Sequence, residues 1–136
     1  MLAGNVVVAT VPATARFVLK RLNADGGPDT TFGNAGTVDT AFTESASAGA
    51  VALQGDGKIV AVGTRAFSVN PNFVVARYNA DGSVDRSFGS DGNLQIDFFG
   101  FTDIGESVLV QPDGKIVVGG LARNNVDGYG LARINP

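Results

Sequence analysis

Carboxylates and guanidinium groups are the side chains with chemistry to offer in this sequence, where eleven Asp and two Glu stand beside ten Lys and Arg and there is no Cys or His. Without thiols or imidazoles, a Cys or His nucleophile, an imidazole general base, a Cys/His zinc site and a disulfide all fall away. Three roles remain for the acids: holding calcium, acting as an acid and base pair, or capping turns. The loop at residues 79–92 gathers Asp81, Asp85 and Asp91, and the matching stretch 23–36 keeps Asp25 and Asp29 but carries Ala35 in the third place. Calcium asks for about six to eight oxygens and a bidentate acid closing the loop. Neither loop has that Glu, so turn formation is the expected role, with Phe32 and Phe88 plugging the space beneath the loops. No metal or other cofactor is expected. Glu44, Glu106 and the Asp residues show no pair with glycosidase-like spacing, and no nucleophile with its base can be named. A hydrolase or lyase is therefore the least supported function, and the chain is not expected to be an enzyme.

Arg21, Arg77 and Arg133 recur at intervals of 56 residues. A ring of guanidinium groups would suit an anionic ligand. A position repeated in every unit serves the unit, however, and the expectation is that each Arg pairs with an acid of its own unit, Asp29 or Asp85, and fastens a turn to a strand.

Those residues are placed by an internal repeat. Residues 17–26 (FVLKRLNADG) reappear as 73–82 (FVVARYNADG) and in part as 129–135 (YGLARIN), while 51–60 (VALQGDGKIV) returns as 108–117 (VLVQPDGKIV). Each unit alternates with period two: Phe73, Val75, Arg77 and Asn79 share one face and Val74, Ala76 and Tyr78 the other. Asp56-Gly57 and Asp113-Gly114 each lie between two apolar runs, a hairpin signal. The complete unit reads as four strands, over residues 48–53, 58–63, 73–79 and 93–98. Four short strands per unit without helices predict an all-β fold of four-stranded antiparallel meanders, the blades of a β-propeller, in preference to a sandwich or an irregular β-stack. The repeat divides the chain into a partial unit (1–43), a full unit (44–99) and a partial unit (100–136).

The segments LQGDGKIV from Leu53, VQPDGKIVVGG from Val110, ARYNADGSVD from Ala76 and SFGSDG from Ser87 resemble the bacterial delta-60 repeat. The resemblance covers nearly the whole chain. It implies a propeller-type repeat of the kind found in large secreted or surface proteins, hence an extracellular or cell-surface location, and it brings no catalytic residue with it. The first unit departs from the pattern, with Ala3-Gly4 in place of Asp-Gly and Asn5 at the usual Lys, which matches strand 5–9 to residues 58–62.

The sequence spans about 2.4 units, and propellers close with about four to eight blades. Open sheet edges are therefore expected, and such edges pair with other chains unless protected. The partners this predicts are further copies of the chain or the rest of a longer one, and beyond them other surface proteins or glycans. The net charge of −3 is scattered with no basic stripe, so nucleic acid is not an expected partner. No run approaches the ~18 apolar residues of a membrane span, and residues 1–15 lack the basic start of a signal peptide, with Asn5 interrupting their apolar stretch. The function that follows is a non-catalytic structural or interaction module. The alternative is a carbohydrate-binding propeller that uses loop Asn and Asp with Phe98, Phe99 and Phe101. The stretches 68–72 and 124–128, where the units differ most, are expected to be loops.

Overall fold

The computed structural model describes residues 5–9, 16–67 and 70–135, with strand 5–9 described by its backbone alone. The readings that fall on residues 1–4, 10–15, 68, 69 and 136 lie outside the described residues. Ten strands and no helix are found among those described. β1 (Asn5–Ala9), β2 (Arg16–Leu22) and β3 (Thr37–Ala41) form one sheet. β4 (Ala46–Leu53), β5 (Ile59–Phe67), β6 (Asn70–Tyr78) and β7 (Asn93–Ile96) form a second, and β8 (Asp103–Val110), β9 (Ile116–Arg123) and β10 (Asp127–Ile134) a third. Within each sheet the strands pair antiparallel with their neighbours in sequence. These are meanders, and they are called blades 1, 2 and 3 below.

Apolar residues on both faces of β6 explain why the blades stack. Phe73 and Val75 join Val60, Val62, Ile116 and Val118 in a core between blades 2 and 3. Val74, Ala76 and Tyr78 join Phe17, Leu19, Ile59 and Ala61 in a second core between blades 1 and 2. A strand buried on both faces reads as an unbroken apolar run, as FVVA does here. β8 lies across β4, β5 and β6, and β4 lies across β1 and β2. This crossing requires glycine: a Cβ on Gly105 would come within 2.4 Å of the Gly63 carbonyl oxygen, and one on Gly49 within 2.6 Å of the Gly105 oxygen. The inner strands also share a bulge, at Gly49 in β4 and at Glu106 in β8, which bends each strand where it crosses its neighbour.

The fold class agrees with the sequence reading, and several boundaries do not. β4 starts two residues earlier than expected. β5 runs four residues further, to Phe67, and β6 begins at Asn70, so residues 70–72 are ladder residues opposite Phe67, Ala66 and Arg65 instead of loop. Pro71 is tolerated there because β7 pairs only with Phe73–Ala76 and never reaches it. Likewise Asp127 and Gly128 open β10 opposite Arg123 and Ala122, leaving three residues for the connection. In blade 1, Asn5 pairs with Leu22, the place that Ile59 holds opposite Tyr78, so β1 corresponds to residues 59–63, one residue later than the motif alignment placed it. A slip of one residue exchanges the faces of a strand, and register is decided by pairing, not by motif likeness.

Candidate functional site

Four copies of one turn organise the loops. In Asn23–Gly26, Gln54–Gly57, Asn79–Gly82 and Gln111–Gly114 the final Gly donates its N–H to the carbonyl of the first residue, at 2.9–3.0 Å. That Gly has φ between 84° and 90°, a region open to it for want of a Cβ. The turn is thus a three-residue loop closed by a left-handed Gly, whereas the two-residue form would need positive φ at the Asp as well. Asp25, Asp56, Asp81 and Asp113 each accept the backbone N–H two residues on, at 2.9–3.1 Å.

A second device fastens the loop after the third strand. Arg21 Nε donates to Asp29 Oδ2, and Arg77 Nε to Asp85 Oδ2, both at 2.8 Å. Thr31 and Ser87 each cap the other carboxylate oxygen with both hydroxyl and backbone N–H. Each guanidinium lies 4.6 Å from the ring centroid of Phe32 or Phe88, which fills the space under the loop. In blade 2 the Lys58 ammonium adds a second cation to Asp85 Oδ2 at 2.8 Å. The Lys58 and Ser87 hydrogen bonds, helped by the Arg77 charge, hold the Asp85 carboxyl well below the usual carboxylate range, and the Thr31 hydrogen bonds lead in lowering Asp29. A carboxylate whose folded pKa is depressed stabilises the protein above its unfolded pKa of about 3.9 and loses that contribution as pH falls through the folded value. The stability gap between wild type and Asp85→Asn is accordingly expected to narrow steadily as the pH falls below about 4. Urea unfolding at a series of pH values measures this, and a gap that does not change with pH would refute it.

The clasp also joins neighbouring blades. Arg21 Nη1 donates to the Ala80 carbonyl at 2.5 Å, and Gly33 N–H donates to the Asp81 carbonyl at 2.8 Å, so the loop of blade 1 is bonded to the turn of blade 2. Arg133 is different. It is exposed, and the Asp113 carboxyl is held low mainly by its hydrogen bonds with Lys115 and least by the charge of Arg133. Among the described residues no carboxylate bonds Arg133.

The other expected residues separate. Asp81 and Asp85 serve their own turns, Asp91 pairs with Arg86, and among the described residues no three acidic side chains gather where a metal ion could sit. Glu44 pairs with Arg65 and accepts the Thr43 hydroxyl, while Glu106 is exposed on its bulge. Of the three clustered aromatics, Phe98 packs edge-on against Phe73 at 5.2 Å between the blades, as Phe42 does against Phe17 at 4.9 Å, and Phe99 and Phe101 are exposed. A cleft of about 470 Å³ opens between β3 and the loops of blade 2, lined by Asp39, Thr40, Phe42, Arg86, Asp91 and Asn93 among others. On its wall the buried Tyr78 hydroxyl donates to Thr40 Oγ1 at 2.8 Å, and burial pushes the phenol up to about 12.

Besides the bonds from Arg21 and Gly33 to the turn of blade 2, sequence reasoning missed three contacts. Lys58 on Asp85 was signalled by the Lys that follows Asp56-Gly57 and again Asp113-Gly114. The buried Asp103, which accepts the Phe98 N–H at 2.8 Å, and the Tyr78 pair with Thr40 carry no signal, because each joins residues that occupy non-equivalent places in the repeat.

Meander sheets that stack face to face, the first bonded to the second through a loop whose internal pattern repeats, define a β-propeller-type repeat protein. The chain belongs to the family described as beta-propeller domain of unknown function DUF5122, whose model matches residues 4–32, 54–88 and 111–136. The first two matched segments end at the clasp residues Phe32 and Phe88, and the last two begin at the turn residues Gln54 and Gln111. A search of the curated proteins finds no match.

Proposed function

We propose that this chain is a non-catalytic interaction module whose open blade faces bind protein, foremost further blades of its own kind. The observation that supports this reading is a difference between equivalent positions. Phe73 and Val75 are 0% exposed beneath blade 3, whereas Tyr129 and Leu131, 56 residues on, are 90% and 75% exposed on blade 3 itself. Leu109 adds to the same apolar surface of blade 3. Burying a side chain of this size is worth roughly 1.5–3 kcal/mol, and exposed apolar patches mark interaction sites. Contact through unlike faces of successive copies would be head to tail, a geometry that builds rings or filaments. The finer likeness to the delta-60 repeat supports a secreted or surface setting.

In solution the native species is expected to exceed the 13.9 kDa of one chain, and Leu131→Glu is expected to return it to single-chain mass, as read by light scattering or native mass spectrometry. A folded wild-type chain that stays at single-chain mass up to millimolar concentration would defeat self-association. A carbohydrate-binding role is the second reading, favoured by the polar cleft between blades 1 and 2. Specific submillimolar binding on a glycan array, lost in Asp39→Ala, would establish it in place of the first.

A further inference from the structure

The cleft between β3 and the loops of blade 2 holds hydrogen-bonding groups that the fold leaves unspent. Both of its walls lie well inside the sequence. Asp39 bonds Arg16 through Oδ2 at 2.8 Å, and its Oδ1 is left over. Thr40 Oγ1 accepts the Tyr78 hydroxyl, so the Thr40 O–H stays available as a donor. Asn93 is bonded through its backbone alone among the described residues, and Arg86 commits its Nη1 to Asp91. These groups stand outside the repeat. Val38 and Phe42 of the cleft return one unit later as Leu94 and Phe98, but Asp39 and Thr40 become Gln95 and Ile96, and Arg86 and Asp91 stand where the first unit has Thr30 and Ala35. Lining that serves the blade recurs, whereas none of these four functional groups does.

We propose that the cleft binds a neutral oligosaccharide. The proposal rests on the carbohydrate-binding reading and gives that reading its ligand class and its subsites. Unspent acceptors and donors face one space, and a sugar hydroxyl, which donates and accepts at once, satisfies both. A phosphate offers mainly acceptors and an ammonium only donors. Each charge at the rim is already paired, Asp39 with Arg16 and Asp91 with Arg86. A sugar acid would therefore meet two carboxylates and an amino sugar two guanidinium groups, and like charges brought together are penalised. Val38, Phe42 and Val84 supply the apolar part of the lining, suited to the C–H face of a pyranose ring. A second hollow of about 620 Å³ shares Val38, Asp39, Gly82 and Ser83 with the first and continues past them to Asn34 and Thr37, which gives room for a further sugar unit.

The test uses the full chain on an array of neutral di- to tetrasaccharides, sialylated and uronate glycans, and glucosamine oligomers, followed by calorimetry with the neutral hits and their monosaccharides. Binding is expected to be confined to the neutral class. Asn93→Ala is expected to weaken it roughly two- to tenfold and Asp39→Ala roughly tenfold or more, the ranges for losing a neutral and a charged hydrogen bond. Asp127→Asn, on blade 3, is expected to change nothing. Asn34→Ala is expected to weaken the oligosaccharide and spare the monosaccharide, and an equal effect on both would overturn the second subsite. No glycan bound by a chain shown to be folded by circular dichroism overturns the carbohydrate reading and this proposal with it. Glycan binding that ignores both Asp39→Ala and Asn93→Ala leaves that reading standing and overturns the cleft as its site. A preference for acidic or amino sugars overturns the neutral ligand.

Discussion

Phe73→Ala is expected to destabilise the folded chain by roughly 3–5 kcal/mol, while Tyr129→Ala, at the equivalent place one unit later, is expected to change stability by no more than about 0.5 kcal/mol. The two aromatics occupy the same register position on β6 and β10, and the large difference between them is burial. Phe73 is enclosed by blade 3 and by the ring of Phe98, and removing it leaves a cavity that a bulged, glycine-lined crossing has little freedom to fill. Tyr129 touches solvent over nearly its whole surface. Urea unfolding at a concentration where single chains prevail measures both. Equal losses at the two sites would mean that the blades do not stack as described. If Tyr129→Ala becomes destabilising only as concentration rises, the difference gives the contribution of the interface.

The second large effect lies in the clasp. Asp85→Ala is expected to cost roughly 3 kcal/mol, the lower end of the range for stripping one partner from a buried ion pair, because Lys58 can turn to solvent while Arg77 cannot. The loss has three parts: the Arg77 guanidinium left buried without its anion, the two Ser87 bonds, and the anchor of the loop over Phe88. Asp25→Ala removes one exposed turn cap and is expected to cost only about 0.5–1 kcal/mol, and Arg133→Ala almost nothing in a single chain. Thermal or urea unfolding of the three variants ranks them. An Asp85→Ala chain no less stable than Asp25→Ala would show that the clasp is dispensable.

How much of this was legible follows from which contacts stay within a unit. Asp25, Asp56, Asp81 and Asp113 announce their turns because the bond runs to an N–H two residues away, and a short-range bond leaves a short-range pattern. Pairing of Arg21 with Asp29 and of Arg77 with Asp85 spans eight residues and recurs, so repetition exposes it. The bond from Arg21 to the Ala80 carbonyl spans 59 residues and depends on how two blades settle against each other, which no local pattern encodes. The true ends of β5 and β6 were hidden for a similar reason: polar residues such as Asn70 and Asn72 look like loop until the hairpin partner is known.

By itself the amino-acid sequence determined that the chain is all-β, that its unit is a four-stranded meander about 56 residues long, and which Asp-Gly pairs turn it, because strand alternation and turn chemistry are properties of neighbouring residues. Only the tertiary structure decided which of two equivalent strand faces is covered. The residues at 73 and 129 obey the same local rules, and their difference in exposure comes entirely from the presence or absence of a sheet above them, a matter of long-range packing.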